Sequence, residues 1–225
     1  MKIGIIAAMP EELKLLVEHL EMAKKHQRLG HVYHTGRIGH HEVVLVESGI
    51  GKVMSAMSVA TLANDFEVTA VINTGSAGAV APGLEIGDVV VADRLVYHDV
   101  DVTAFGYDYG QMARQPLYYE ASRYLVEEMK AVLEKTQQTS RVGLIATGDS
   151  FIAGQDKIDQ IKAHFPDVLA VEMEAPALYM NAARAGKKAL CICTISDCPF
   201  KNIATTSEQR QTGFTNMMEV ALALI

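Results

Sequence analysis

Short apolar runs alternate with amphipathic stretches along the chain, and this alternation predicts strands that are followed by helices. Pro10, Glu11 and Glu12 are typical of a helix start, because proline needs no N–H partner there and acids favour the positive end of the helix dipole. The apolar runs predict strands over residues 2–8, 32–37, 42–47, 68–73, 88–97, 141–146, 168–171 and 189–195. The amphipathic stretches predict helices over residues 10–20, 51–62, 122–135, 155–165, 174–185 and 206–225.

Many of these strands are apolar on both faces, and the connections between elements are short. Strands of this kind are buried in largely parallel sheets that are covered by helices on both sides. No internal repeat or linker interrupts the pattern. The sequence therefore predicts an α/β fold, a three-layer α/β/α arrangement with a central mixed, largely parallel sheet, as one domain over residues 1–225.

The net charge and the length of the apolar segments argue against nucleic acids and membranes as partners. The chain has 225 residues with 27 acidic and 20 basic side chains, a formal net charge of −7. Nucleic acids and anionic membranes select basic surfaces, so this balance predicts neither as a partner. The apolar opening over residues 3–9 is too short for a secretory signal core or a membrane span.

The cysteines are few and close together. Cys191, Cys193 and Cys198 lie within eight residues. An odd number in one short stretch is a poor disulfide framework, and as a metal site the set lacks a fourth ligand and the usual spacing. We therefore expect reduced thiols, with Cys191 and Cys193 on one face of a buried strand, and a cytoplasmic protein.

The candidate site lies at the ends of the predicted strands, because ligands of such sheets bind beyond the carboxyl ends of strands. The residues at these positions are Met9, Glu12, Gly75, Ser76, Ala77, Gly78, Asp149, Phe151, Ile152, Glu172, Met173, Glu174, Ser196 and Asp197. They include several carboxylates and no lysine or arginine. Taken singly, Glu12 could be a partner of a helix dipole and Asp197 a helix cap. Taken together, the acids indicate cation binding, a shared proton or acid–base chemistry.

The residue types favour a nucleoside over a nucleotide. There is no basic cradle, GxxxxGK motif or dinucleotide fingerprint for a phosphate. An apolar slot suits a flat heterocycle, and carboxylates suit sugar hydroxyls and a developing positive charge. Cleavage of a glycosidic bond needs an acid for the leaving group and a base for water, with no metal and no cofactor. The slot residues are Met9, Ile50, Phe151, Ile152 and Met173.

The first part of the chain, residues 1–175, resembles the bacterial 5′-methylthioadenosine/S-adenosylhomocysteine nucleosidases. The segments that carry this resemblance are residues 1–12, 48–53, 73–78, 97–107, 148–151 and 171–175. The resemblance implies that Glu12 activates water, that Asp197 protonates adenine at N7, and that Glu174 holds the ribose hydroxyls. It also implies that Ile152 and Met173 contact base and sugar, with Gly78 beside them.

The resemblance has two further implications, one for the oligomeric state and one for a residue that differs from the family. Val102 and Phe105 match residues that reach into the neighbouring subunit's 5′-thio pocket, which implies a homodimer. Cys193 stands where the family has an arginine that helps to order the water and Glu174, so we expect weakened catalysis.

The last part of the chain, from Ala177 to Phe214, resembles the hexameric bacterial purine nucleoside phosphorylases instead. This change of resemblance predicts a sequence join near residues 172–176, and it implies that Arg210 modulates Asp197. Two alternatives to the hydrolase follow, a phosphate-dependent purine nucleoside phosphorylase and an impaired chimera that only binds purine. The carboxylate of Glu12 would repel phosphate, so we favour water as the nucleophile.

Overall fold

The computed structural model describes residues 1–198 and 206–224, without the side chains of Ser207, Arg210 and Met218. The strands are β1 (Lys2–Ala7), β2 (Glu21–Arg28), β3 (His31–Ile38), β4 (His41–Glu47), β5 (Ala70–Ala79), β6 (Val89–Tyr97), β7 (Tyr119–Glu120), β8 (Ser140–Thr147), β9 (Val168–Glu172) and β10 (Lys188–Asp197). The helices are α1 (Pro10–Glu18), α2 (Lys52–Asn64), α3 (Arg123–Thr136), α4 (Gln155–His164), α5 (Ala175–Arg184) and α6 (Ser207–Leu224), with a 3₁₀ turn at Thr103–Phe105.

All the strands belong to one mixed sheet, as the sequence predicts. Its order is β2-β3-β4-β1-β5-β9-β8-β6-β10, with β7 beside β6. The pairs β1–β4, β1–β5, β5–β10, β6–β8 and β8–β9 are parallel, whereas β5–β9, β6–β10 and the hairpin strands β2, β3 and β4 pair antiparallel. Because β10 also pairs with β5, the strands β5, β9, β8, β6 and β10 close into a ring.

The helices flank the sheet in two groups. Helix α2 packs against α5, and α6 packs against α1 and α3. The central strands are apolar on both faces because helices cover them, and Ile5, Ile72 and Leu190 are fully buried or nearly so. None of the described helices is long and apolar enough to cross a membrane.

Two strands were absent from the sequence prediction, β2 and the two-residue β7. Strand β2 follows α1 and pairs antiparallel with β3 at the edge of the sheet. Most of its side chains are exposed, so its residues lack the apolar alternation that marks a half-buried strand. Its lysines, Lys24 and Lys25, are typical of an edge strand that does not pair further.

Two strands extend at least two residues past their predicted ends, and both extensions carry candidate site residues. The segment Gly75–Gly78, expected as a loop, forms the second half of β5, and Ser196 and Asp197 form the end of β10. The two extensions pair with each other, with Gly78 opposite Asp197 after a register shift. The candidate side chains are therefore held by sheet hydrogen bonds and not by flexible loops.

Candidate active site

A pocket opens where β1, β5, β9 and β10 end beside the loop that follows β8. Its lining residues are Ala8, Met9, Glu12, Ile50, Ser76, Ala77, Gly78, Ser150, Phe151, Ile152, Val171, Glu172, Met173, Glu174, Ser196 and Asp197. Of the predicted site residues whose side chains the structure describes, all line this pocket except Gly75, Val102, Phe105 and Asp149. Sequence reasoning missed Ala8, Ser150 and Val171, which are small or apolar residues next to predicted ones and carry no signal of their own.

Glu12 lies in the first turn of α1 and is held from two sides. Its Oε2 accepts hydrogen bonds from the backbone N–H groups of Ala8 (3.0 Å) and Met9 (3.1 Å). Its Oε1 accepts from the N–H (2.9 Å) and the hydroxyl (3.0 Å) of Ser76 on β5. The carboxylate therefore has one fixed orientation in the pocket.

Two opposing effects act on the protonation of Glu12. Burial raises the pKa of Glu12 above its ordinary value, because the carboxylate is only 1% exposed. The donors from Ser76, Met9 and Ala8 lower its pKa, and burial is the larger effect. The sequence shows only that Glu12 lies in a first helical turn, where the dipole favours the anion, because desolvation depends on the folded packing.

Glu172 closes the start of helix α5. Its Oε2 accepts hydrogen bonds from the backbone N–H groups of Glu174 and Ala175, each 2.8 Å long. The hydroxyl of Thr147 on β8 donates to its Oε1. The next residue of the helix, Pro176, has no N–H to satisfy. Glu172 is therefore a buried cap of α5 that faces the pocket.

Glu174 reaches across the pocket to a different helix. Its Oε1 accepts a hydrogen bond from the N–H of Gly51, 2.8 Å away, at the start of α2. Burial, then the neighbouring charge of Glu172, raises the pKa of Glu174. Burial also raises the pKa of Glu172. Because the two carboxyl groups are buried together, ionising both is costly, and we expect the pair to retain a proton at neutral pH.

Asp197 lines the pocket from the end of β10. Its side chain is partly exposed, and the hydroxyl of Ser196 donates to its Oδ2 at 3.4 Å. The side chain of Arg210 lies outside the part of the chain that the structure describes, so its predicted effect on Asp197 stays a prediction.

The apolar wall of the pocket lies open at its mouth. Ile50 is 56% exposed and Phe151 is 68% exposed, although both line the pocket, whereas Ile152 is buried. Phe105 is 81% exposed, and neither it nor Val102 lines the pocket of a single chain.

The cysteines lie below the pocket and do not line it. All three are buried thiols outside any disulfide. Cys193 pairs with Gly75 across β5 and β10, and its Sγ lies 3.5 Å from that of Cys191. The hydrogen bond with Cys191, together with burial, raises the pKa of the Cys193 thiol, which keeps it neutral. Among the described residues that line the pocket, none is a lysine or arginine.

The chain is similar to known proteins over most of its length. A family model described as the phosphorylase superfamily matches residues 2–225. A 5′-methylthioadenosine/S-adenosylhomocysteine nucleosidase of Staphylococcus aureus strain JH9 is 42% identical over 196 residues, which cover 87% of this chain and 86% of that protein.

Solved structures extend the similarity over the whole chain. The S-adenosylhomocysteine nucleosidase of Streptococcus pyogenes, in complex with 5-methylthiotubericidin, is 54% identical and covers 100% of this chain and 95% of its own, with a TM-score of 0.94. The 5′-methylthioadenosine/S-adenosylhomocysteine nucleosidase of Streptococcus pneumoniae, with the transition-state inhibitor MT-ImmA, is 57% identical and covers 100% and 98%, with a TM-score of 0.94.

These matches bear on the predicted sequence join. The similarity to nucleosidases does not stop at residue 175, because both streptococcal structures cover the chain from end to end. They give no support to a join near residues 172–176 or to a separate phosphorylase-like C-terminal segment.

The burial of Glu174 makes the stability of the folded protein depend on pH. The folded chain raises the pKa of Glu174, so it binds this proton more tightly than the unfolded chain does. The resulting stabilisation is present at acidic pH and is lost as the pH rises through the raised pKa. We expect Glu174→Gln to be more thermostable than the wild type at pH 8 to 9, by about 2–4 °C in Tm, and the difference to shrink towards pH 5.

Thermal unfolding of the ligand-free protein across this pH range measures the effect. Glu134→Gln, an exposed change on α3, is the matched control and should follow the wild type at every pH. A Glu174→Gln variant that is less stable than the wild type at pH 8 to 9 would contradict the interpretation.

Proposed function

The chain belongs to the phosphorylase superfamily and, within it, to the 5′-methylthioadenosine/S-adenosylhomocysteine nucleosidases, and from this premise we propose that it hydrolyses the N-glycosidic bond of those two nucleosides and releases adenine. The observation that carries the proposal is the fixed carboxylate of Glu12 in a pocket with an apolar wall. The basic residues that would hold phosphate are absent from the described lining of the pocket.

The proposed reaction uses two acids in different roles. Glu12 accepts a proton from water, the water oxygen bonds to C1′ of the ribose, the C1′–N9 bond breaks, and Asp197 gives its proton to N7 of the departing adenine. General acid–base assistance of this kind contributes about 10²–10⁴-fold. Glu12 lies on α1 and Asp197 on β10, but both line the same pocket, so a nucleoside can lie between them.

The remaining residues provide binding contacts in this proposal. Glu174 accepts hydrogen bonds from the ribose hydroxyls while the N–H of Gly51 orients it. Ile152, Phe151 and Met173 contact the base and sugar from the apolar side, beside the strand segment that carries Gly78. Positive charge that develops on the ribose lies close to carboxylates, which stabilise it.

A phosphorylase is the main rival reaction, and one observation weighs against it. A phosphate dianion in this pocket would meet the carboxylate of Glu12 and the negative charge that remains on the Glu172–Glu174 pair, with no described basic side chain to balance them. Like charges repel strongly in a buried site, because little water is present to screen them. Water has no charge to repel, which favours hydrolysis.

Product analysis with and without phosphate separates the two reactions. We expect wild-type protein to convert 5′-methylthioadenosine to free adenine and free 5-methylthioribose at equal rates in phosphate and in phosphate-free buffer. A strict requirement for phosphate, with a sugar phosphate as the second product, would contradict the proposal.

The role of Glu12 is tested by Glu12→Gln. The amide keeps the size of the side chain but cannot take the proton of water, and its NH₂ group, itself a donor, would face backbone N–H donors that cannot accept a hydrogen bond from it. We expect kcat to fall by about 10²-fold or more, with adenine still bound when measured by calorimetry. Glu11→Gln, the exposed neighbour in the same helical turn, is the control and should retain wild-type kcat. Near-wild-type turnover of Glu12→Gln would remove it from the mechanism.

We also propose that the protein acts as a homodimer. The segment that carries Val102 and Phe105 begins at Asp99, which contacts Lys52 at the edge of the pocket. Phe105 is largely exposed, and so is the apolar mouth of the pocket at Ile50 and Phe151. A partner's segment of this kind would cover the mouth and complete the 5′-thio subsite. The cytoplasmic location stays a prediction.

The dimer is tested by Phe105→Asp, which places a charge in the proposed interface. We expect wild-type protein to have the solution mass of two chains, and Phe105→Asp to shift towards monomer and to release adenine at least about tenfold more slowly, because burying an unpaired charge is costly. Leu29→Asp, an equally apolar and exposed position in the turn between β2 and β3, is the control. A fully active wild-type monomer would contradict the proposal.

A further inference from the structure

Two loops contribute exposed apolar side chains to the pocket mouth. Residues 48–51 precede α2 and supply Ile50, and residues 148–152 follow β8 and supply Phe151 and Ile152. No strand pairing holds Ile50 or Phe151, and both are more than half exposed. The distance between these loops therefore depends on side-chain contacts.

A cluster of three charged residues joins the two loops. The Nζ of Lys52 lies 2.9 and 2.8 Å from the two carboxylate oxygens of Asp99, and 3.5 Å from Oδ2 of Asp149. The N–H of Asp149 donates to Oδ2 of Asp99 at 2.8 Å. The N–H of Lys52 donates to Oδ1 of Asp149 at 2.9 Å. We refer to Lys52, Asp99 and Asp149 as the rim cluster.

The sheet explains why two like charges meet in the rim cluster. Strands β6 and β8 are parallel neighbours, and their last residues, Tyr97 and Thr147, are paired. Asp99 and Asp149 each follow two residues later, so their carboxylates emerge side by side and repel each other. The ammonium group of Lys52 lies against both, with its Nζ 5.0 Å from the centre of the Tyr97 ring. Without this cation, the two loops would carry an unbalanced pair of negative charges.

The position of Lys52 in its helix supports a role beyond the helix. It is the first residue of α2, where the helix dipole disfavours a cation. The preceding Gly51 has a φ of +99°, and a Cβ there would lie 3.0 Å from Oδ1 of Asp149. The backbone is therefore bent so that α2 begins directly against the loop after β8.

The start of α2 connects the rim cluster to the acids of the pocket. Successive N–H groups at the start of α2 bind two different carboxylates, because Gly51 donates to Glu174 and Lys52 donates to Asp149. A shift of the loop at residues 48–51 would move the donor that orients Glu174. It would also move Ile50 relative to Phe151 and Ile152.

We infer that the rim cluster positions the two loops of the pocket mouth, and that Lys52 thereby sets the affinity for the nucleoside without touching it. The inference rests on the proposed nucleosidase function for its kinetic consequence. Lys52 is a positioning residue in this scheme, and its removal acts mainly on binding and less on the chemical step at Glu12 and Asp197.

The test compares Lys52→Met with the wild type, using 5′-methylthioadenosine because this nucleoside has no net charge. Methionine keeps much of the stem of lysine and removes its charge. We expect KM to rise about tenfold, equivalent to about 1.4 kcal/mol, while kcat changes by less than about threefold. Lys52→Arg should recover most of the affinity, because it restores a cation between the two aspartates.

Salt dependence separates positioning from a general loss of packing. The side chains of Lys52 and Asp99 are 21% and 22% exposed, so added salt can screen their attraction. With an uncharged substrate, we expect the wild-type KM to rise with ionic strength and the KM of Lys52→Met to change much less. Lys130→Met, which breaks the exposed pair with Glu127 on α3, is the matched control and should follow the wild type.

Hydrogen–deuterium exchange gives a measurement that does not depend on activity. We expect faster exchange in Lys52→Met at both residues 49–52 and residues 148–152, and unchanged exchange in β1 and β5. Wild-type KM together with wild-type exchange at residues 148–152 would overturn the inference. Failure of the wild type to release adenine would overturn the proposed function instead, while the exchange data would still decide whether Lys52 holds the two loops.

Discussion

Three buried carboxylates have to be stabilised in one pocket, and backbone N–H groups at the starts of three helices provide this stabilisation. Glu12 binds N–H groups at the start of α1, Glu172 those at the start of α5, and Glu174 the one that precedes α2. Helix N-termini suit this purpose because their first N–H groups lack partners and carry partial positive charge. The fold can therefore place acids together without adding a basic residue that would occupy the pocket.

The closed part of the sheet makes this convergence possible. Strand β5 pairs with β1 through its first half and with β9 through its last residues, while β10 runs along its other edge. This arrangement brings the start of α1, which follows β1, and the start of α5, which follows β9, to the same end of β5. Ser76 lies in this stretch of β5 and donates to Glu12 of α1. Strand β5 therefore holds the acid of α1 close to the acids at the start of α5.

The sequence was most informative where chemistry and topology coincide. Glu12, Glu174 and Asp197 could be predicted because each is a carboxylate at the end of an apolar run, and parallel strands bring such ends together. The polar edge strand β2 and the ring closure could not be predicted, because edge pairing leaves no apolar pattern and closure depends on non-local strand contacts. Lys52 was also missed, since a lysine in a first helical turn gives no sign of which carboxylates it meets.

The electrostatics of the pocket are costly in the free protein, and this cost has a consequence for catalysis. Burial raises the pKa of Glu12, Glu172 and Glu174, which means that their anions are less stable there than in water. Positive charge on a ribose ring that is losing its base would remove part of this destabilisation, whereas a neutral nucleoside would not. Interactions that strengthen only as the charge develops lower the barrier more than they tighten ground-state binding. A pocket with several acids and no described cation in its lining is therefore suited to the transition state of glycosidic cleavage more than to its substrate.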